Sequence, residues 1–256
     1  KKIVMDIKDA GFDSKLIHAG DFEDGLGSAV TPIYQTSTFK FESAEHGAKC
    51  FSGQSDGFIY TRLGNPTIRD LERAVAVLEN GFDGISASSG MGAINTIYMT
   101  YLGAGDHIVS SDAVYGPSRA VLESIYPRFD VESTFVNTSD WKNVRDAIKP
   151  NTKLIYVETP ANPTMGITDI RKVAELAHES GIPLCVDNTF CSPYLQKPLD
   201  MGADIVLHSM TKFINGHADV VAGMIVTKTE EHYKKIRPVL TNMGFNMDPS
   251  QAFLVR

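Results

Sequence analysis

Cysteine and tryptophan are scarce in this 256-residue chain, with three and one respectively. Cys50, Cys185 and Cys191 are odd in number and scattered, so neither a disulfide framework nor a cysteine zinc site is expected. Cys185 lies in the apolar run Ile182-Pro183-Leu184-Cys185-Val186 and reads as a small buried hydrophobe. The seven histidines show no metal-ligand spacing, so no metal is expected. Basic charge is also short: 24 Lys and Arg stand against 31 Asp and Glu, a net of −7. That balance argues against nucleic acid or an anionic membrane as the main partner. No apolar run approaches the roughly 20 residues that cross a bilayer. No signal-type segment is recognisable, and a reducing cytoplasm is the expected compartment. The chain opens on Lys1 and stops at Phe253-Leu254-Val255-Arg256 without a terminating signal, so a piece of a longer protein is expected.

What is present is a globular composition, 43% hydrophobic and 21% charged, enough for one or two domains. Residues 1–58 are irregular, rich in Gly, Ser and Asp, and read as an extended arm. Order begins at Asn65, which can cap a helix with Pro66 in its first turn. Ile68, Leu71, Val75 and Leu78 then form a helical stripe, and Gly81 is the expected stop. Strands are expected at 84–89, 107–112, 131–137, 154–159, 184–188, 204–209 and 221–227. Helices are expected at 91–102, 117–126, 141–148, 170–180 and 230–240. Alternation of this kind implies an α/β fold, a mostly parallel sheet flanked by helices. Such sheets bind ligands at the carboxyl ends of their strands. Polar residues fall there: Ser88-Ser89, Ser111-Asp112, Glu158-Thr159, Asp187-Asn188 and Ser209.

Several of these ends carry chemistry. In Ser209-Met210-Thr211-Lys212 two hydroxyls flank an amine: the hydroxyls can bind phosphate oxygens and the amine can add to a carbonyl. Taken alone, this motif is short and common enough to be a surface lysine after a strand. Ser88-Ser89-Gly90-Met91-Gly92 links a strand to a helix start, where glycines and free N–H groups accept a phosphate. Gly90-x-Gly92 with Asp112 also resembles part of a dinucleotide fingerprint. The third glycine position holds Asn95, however, and the weighing favours a monophosphate. Asp187 ends an apolar strand, so its carboxylate needs a cation or donors, unless it merely caps a turn. Tyr115 could lie flat on an aromatic cofactor or transfer a proton, though such a residue alone is more often packing. Tyr60 and Arg62 offer a phenol and a guanidinium suited to phosphate, and come from before the sheet begins.

Together with Thr31-Pro32-Ile33-Tyr34-Gln35, Tyr60-Thr61-Arg62-Leu63-Gly64-Asn65-Pro66, Glu158-Thr159-Pro160-Ala161-Asn162-Pro163 and His208-Ser209-Met210-Thr211-Lys212, these motifs resemble the Cys/Met-metabolism family of pyridoxal 5'-phosphate (PLP) enzymes. The likeness runs from about Leu16 to the end. It implies the aspartate-aminotransferase-like fold type I of PLP-dependent transferases. Lys212 would hold the cofactor as a Schiff base and then shuttle the substrate's proton. Asp187 would pair with the ring nitrogen and Tyr115 would stack on the ring. Ser89, Gly90, Met91, Ser209 and Thr211 would hold the phosphate, with Glu158 and Asn162 near the ring. Tyr60 and Arg62 would reach the cofactor of a neighbouring subunit, carried there by the arm of residues 1–58. Residues 59–256 would form the large PLP-binding domain, and the family's C-terminal small domain, with its substrate-carboxylate arginine, is not in this chain. A homotetramer of two tight dimers is implied.

The arm and the Ser-Ser-Gly-Met-Gly loop look closest to methionine γ-lyases: α,γ-elimination of methionine or homocysteine to 2-oxobutyrate, ammonia and a thiol. Two positions depart from that pattern. Pro117 stands where many of those enzymes have cysteine, and Asn242 is closer to cystathionine lyases. Cystathionine γ-lyase or γ-synthase chemistry therefore stands beside methionine cleavage. Two readings of other classes also remain: an NAD-dependent Rossmann enzyme, and a catalytically silent PLP-fold interaction module.

Overall fold

The computed structural model describes residues 7–20 and 24–256. Two helices, α1 (Phe12–His18) and α2 (Ala44–Phe51), interrupt the stretch read as an irregular arm. Ser43 caps α2, its side chain accepting from the His46 N–H. Polar residues that looked like loop in the sequence are here a short capped helix.

Helix α3 (Pro66–Leu78) starts as its sequence dictates, with Asn65 accepting from the Thr67 N–H and Pro66 in the first turn. Its end differs from expectation. Asn80, not Gly81, takes the left-handed conformation, at φ 56°. Gly81 is required for another reason: a Cβ there would stand 2.3 Å from the Val226 side chain. The chain at Gly81 lies directly against the sheet.

Next come β1 (Asp83–Ala87), α4 (Gly90–Tyr101), β2 (His107–Ser111), α5 (Gly116–Ser124), β3 (Glu132–Val136), α6 (Trp141–Ala147), β4 (Thr152–Glu158), α7 (Ile170–Glu179) and β5 (Leu184–Asp187). After a short α8 (Ser192–Leu195) follow β6 (Ile205–Ser209), β7 (Gly223–Thr227), α9 (Glu230–Met243) and α10 (Pro249–Val255). Every strand and helix expected beyond Asn65 is present, within a few residues at the ends.

The seven strands form one sheet in the order β1-β7-β6-β5-β4-β2-β3. β6, β5, β4, β2 and β3 run parallel to their neighbours, and only β7 is reversed, antiparallel to both β1 and β6. The mostly parallel sheet flanked by helices is thus realised. Alternate side chains face opposite sides. Ile155, Val157, Leu184, Val186 and Val206 pack against Leu71 and Val75 of α3 and Val173 and Ala177 of α7. Leu154, Tyr156, Cys185, Ile205 and Leu207 pack against Ile94, Ile97 and Tyr98 of α4 and Ile236 and Leu240 of α9. Each large side chain buried this way contributes about 1.5–3 kcal/mol.

The strand order excludes the dinucleotide reading. In such a unit the glycine loop and the acidic residue end neighbouring strands. Here Gly90 follows β1 and Asp112 follows β2, with four strands between them. At about 4.8 Å per strand the two are some 24 Å apart.

Candidate active site

Period-2 alternation places Glu158, Asp187 and Ser209 at the carboxyl ends of β4, β5 and β6. All three continue the face that packs against α4. Because β1 runs the same way as β6, the loop Ser88-Ser89 and the start of α4 meet them there. The result is a cavity of about 380 Å³. Ser89, Gly90, Met91, Tyr115, Glu158, Asn162, Asp187, Ser209, Thr211 and Lys212 line it, so ten of the twelve expected site residues converge. Ile94, Thr189, Phe190, Leu207 and Val221 line it too.

One end of the cavity suits an anion. Ser89 caps α4, its Oγ accepting from the Gly92 N–H at 2.9 Å, which leaves its O–H to donate outward. The first N–H groups of a helix have no internal partner, and they carry the positive end of its dipole. Gly90 sits here with no room for a side chain: a Cβ would lie 2.9 Å from Ser209 Cβ and 3.0 Å from its Oγ. Thr211 lines the cavity as well. Its hydroxyl accepts from the Ala222 N–H at 2.9 Å, tying the loop back to the strand.

The other end suits a cation. Asp187 is 5% exposed, and among the described residues no lysine or arginine forms an ion pair with it. One oxygen accepts from the Thr189 N–H and hydroxyl; the other accepts from the Tyr156 phenol at 3.0 Å. Burial pushes its pKa up, and those donors and His208 offset part of the shift. Glu158, its neighbour across β4 and β5, is pushed up to about 7 by burial and by Asp187. Two buried carboxylates without a cation are costly.

Lys212 follows β6 and lines the same cavity, its backbone N–H donating to Ser209 at 3.1 Å. Tyr115 stands at the start of α5, 45% exposed. Tyr60 and Arg62 are elsewhere. They line a separate groove of about 360 Å³ with Gln35, Ser37 and Asp248, and Arg62 donates to the Thr241 carbonyl at 2.7 Å. Thr189 and Tyr156 escaped the sequence reading. Each had a signal: Thr189 lies two residues after Asp187, and Tyr156 shares a strand face with Glu158.

The arrangement thus sets an anion cradle, a buried carboxylate and a primary amine around one cavity. Comparison with known proteins is consistent with that. The family model for Cys/Met metabolism PLP-dependent enzymes matches residues 13–256. An L-methionine gamma-lyase of Porphyromonas gingivalis is 48% identical over 253 residues, 98% of this chain and 63% of that protein. A cystathionine gamma-lyase of Bacillus subtilis is 44% identical over 94% of this chain and 61% of that protein. A crystal structure of metB from Corynebacterium glutamicum superposes with a TM-score of 0.92 at 43% identity, covering 98% of this chain and 64% of that one. The chain therefore spans somewhat under two thirds of the length of these relatives. The chain belongs to the Cys/Met metabolism PLP-dependent enzyme family.

Proposed function

We propose that the cavity holds PLP and that the whole protein cleaves the carbon–sulfur bond of a sulfur amino acid, by α,γ-elimination of L-methionine or homocysteine. The observation that carries this is Asp187: a buried carboxylate that forms no ion pair with a lysine or arginine among the described residues and lines the cavity that Lys212 also lines. A cofactor with a cationic ring nitrogen at one end and a phosphate at the other matches this donor set. Ser89, Gly90, Met91 and Ser209 would hold its phosphate, Asp187 its ring nitrogen, Lys212 its carbonyl carbon, and Tyr115 a ring face, with Asn162 beside it. When bound, that group supplies an electron sink for a carbanion at the substrate's α-carbon.

The chain's own groups do the rest. Lys212 Nζ would remove the substrate's α-proton and return it later in turnover. The Tyr115 phenol gives a proton to the departing sulfur. Asp187 would keep a proton on the ring nitrogen through an ion pair that its burial would strengthen. Buried Ile94 and Leu207 line the same cavity and would limit water around that pair.

The arginine for the substrate carboxylate is assigned to the part of the relatives' length that this chain does not span. Residues 1–58, with Tyr60 and Arg62, are assigned to a neighbouring subunit's site in a homotetramer. Three free cysteines accord with a cytoplasmic setting, and no described helix is long and apolar enough to cross a membrane. The test is to incubate the full-length protein with methionine, homocysteine, cystathionine and cysteine and identify the oxo acid. 2-Oxobutyrate from methionine supports the reading, and pyruvate alone overturns it. Cystathionine cleavage is the second reading, favoured by Asn242 and by the cystathionine gamma-lyase relative; 2-oxobutyrate from cystathionine but not methionine would select it.

A further inference from the structure

We infer that Glu158 is a positioning residue: its carboxylate ties two separate loops, at Tyr115 and Asn162, to the end of β4 and so sets the width of the cavity. The inference rests on the cofactor reading only for what the cavity receives. Oε2 accepts the Tyr115 N–H at 2.7 Å and Oε1 accepts the Asn162 N–H at 2.9 Å. Tyr115 stands at the start of α5, after β2, whereas Asn162 lies in the loop after β4. One side chain thus closes a bridge between two walls that share no strand. Glu158 is 3% exposed and lies beside the cavity, which both tied residues line.

Both oxygens must accept for both walls to be held. The carboxylate does this through two charge-assisted bonds, whereas a proton on one oxygen makes that oxygen a weaker acceptor and removes the charge assistance. The groups around it are Asp187 on β5, the Tyr98 and Tyr156 phenols, Tyr115 itself and Lys212 of the same cavity. Burial and Asp187 hold Glu158 near a midpoint of about 7, so the brace loosens as pH falls through that value. A cation placed against Asp187 weakens the repulsion between the two carboxylates and favours the ionised, fully bridging form. Ligand binding at the Asp187 end and closure of the Tyr115 and Asn162 walls are therefore coupled.

The experiment has two arms. The cofactor-free protein, labelled with nitrogen-15 at tyrosine and asparagine, is titrated from acid to alkaline pH. The Tyr115 and Asn162 amide signals are expected to move together with one midpoint near 7, and to stop moving in Glu158→Gln. Separate midpoints, or an unchanged titration in the variant, overturn the inference. In the second arm the holoenzyme is compared with its Glu158→Gln and Glu158→Asp forms at alkaline pH. PLP dissociation constants are expected to rise about tenfold or more in both, with loss of the bound cofactor's induced circular dichroism. Glutamine turns a donor on one amide, and aspartate is too short for both. Wild-type affinity and dichroism in both variants overturn the inference. Failure of the unsubstituted protein to bind PLP overturns the cofactor reading instead, and the amide titration alone then decides the brace.

Discussion

At the scale of single residues the site separates into groups that react and groups that hold them. Lys212 is proposed to react: Lys212→Ala should then abolish borohydride trapping of PLP and lower turnover about a thousandfold, as loss of a proton-transferring group does; the mass of the trapped peptide checks it. Gly90 holds. In Gly90→Ala the new methyl meets Ser209 at 2.9 Å, so the phosphate cradle must widen. PLP affinity should fall with the apo fold retained, as fluorescence titration and far-UV dichroism would show. Asp187 and Glu158 give a pH dependence whose sign can be worked out. Both bind a proton more tightly folded than unfolded, because burial disfavours their charge. The contribution of these two groups to cofactor-free stability is therefore fullest below about pH 4 and is lost as pH rises toward 7. For Glu158, the shift from 4.5 to about 7 corresponds to roughly 3 kcal/mol. Glu158→Gln should flatten that slope in denaturant titrations.

At the scale of elements, two junctions hold the site's frame. Glu72 on α3 is fully buried, and its oxygens meet Arg69 and Arg237 at 2.6 Å and the Ser86 N–H at 2.9 Å. It joins α3, β1 and α9 through charge-assisted bonds, and the two arginines hold its carboxyl below the ordinary range against the cost of burial. Glu72→Ala leaves Arg237 without its carboxylate and Arg69 with Asp83 alone, and should destabilise the protein by about 3–5 kcal/mol, measured as a fall in the urea midpoint. Gly223 opens β7 directly against the loop before α4: a Cβ there would lie 2.2 Å from the Ser89 carbonyl oxygen. No side chain yields to backbone at that distance. Gly223→Ala should displace Ser89 and weaken PLP binding even where the melting temperature changes little.

At the scale of the whole molecule, the surface carries large apolar groups at Leu26, Tyr194, Leu195 and Phe51, exposed by 69–90%. The Tyr60–Arg62 groove lies apart from the cavity, in keeping with the proposal that it completes a neighbour's site. Subunit mixing tests this. Lys212→Ala and Arg62→Ala subunits, each weak alone, should regain turnover when refolded together, because one interface then carries an intact Lys212 and an intact Arg62. Absence of recovery would place Arg62 in a role within its own subunit.

The sequence by itself determined the alternation of elements, the Asn65 cap of α3 and the residue types of the site. Those depend on local period, capping and motif chemistry, which the order of residues carries directly. It also singled out Asp187 and Lys212 as candidates, which the structure brings to one cavity, because polar groups at strand ends are conspicuous beside apolar runs. It missed α1 and α2, whose polar composition resembles loop, and it misread Gly81, whose contact is with Val226 far along the chain. Only the tertiary structure decided that Gly90 and Asp112 have four strands between them, that Tyr156 and Thr189 hold Asp187, and that Glu158 bridges Tyr115 and Asn162. The reason is strand order: the sheet places β4, β5 and β6 side by side although β6 is distant in sequence from β1 and α4. Contacts across that order are set by packing, which no local pattern encodes.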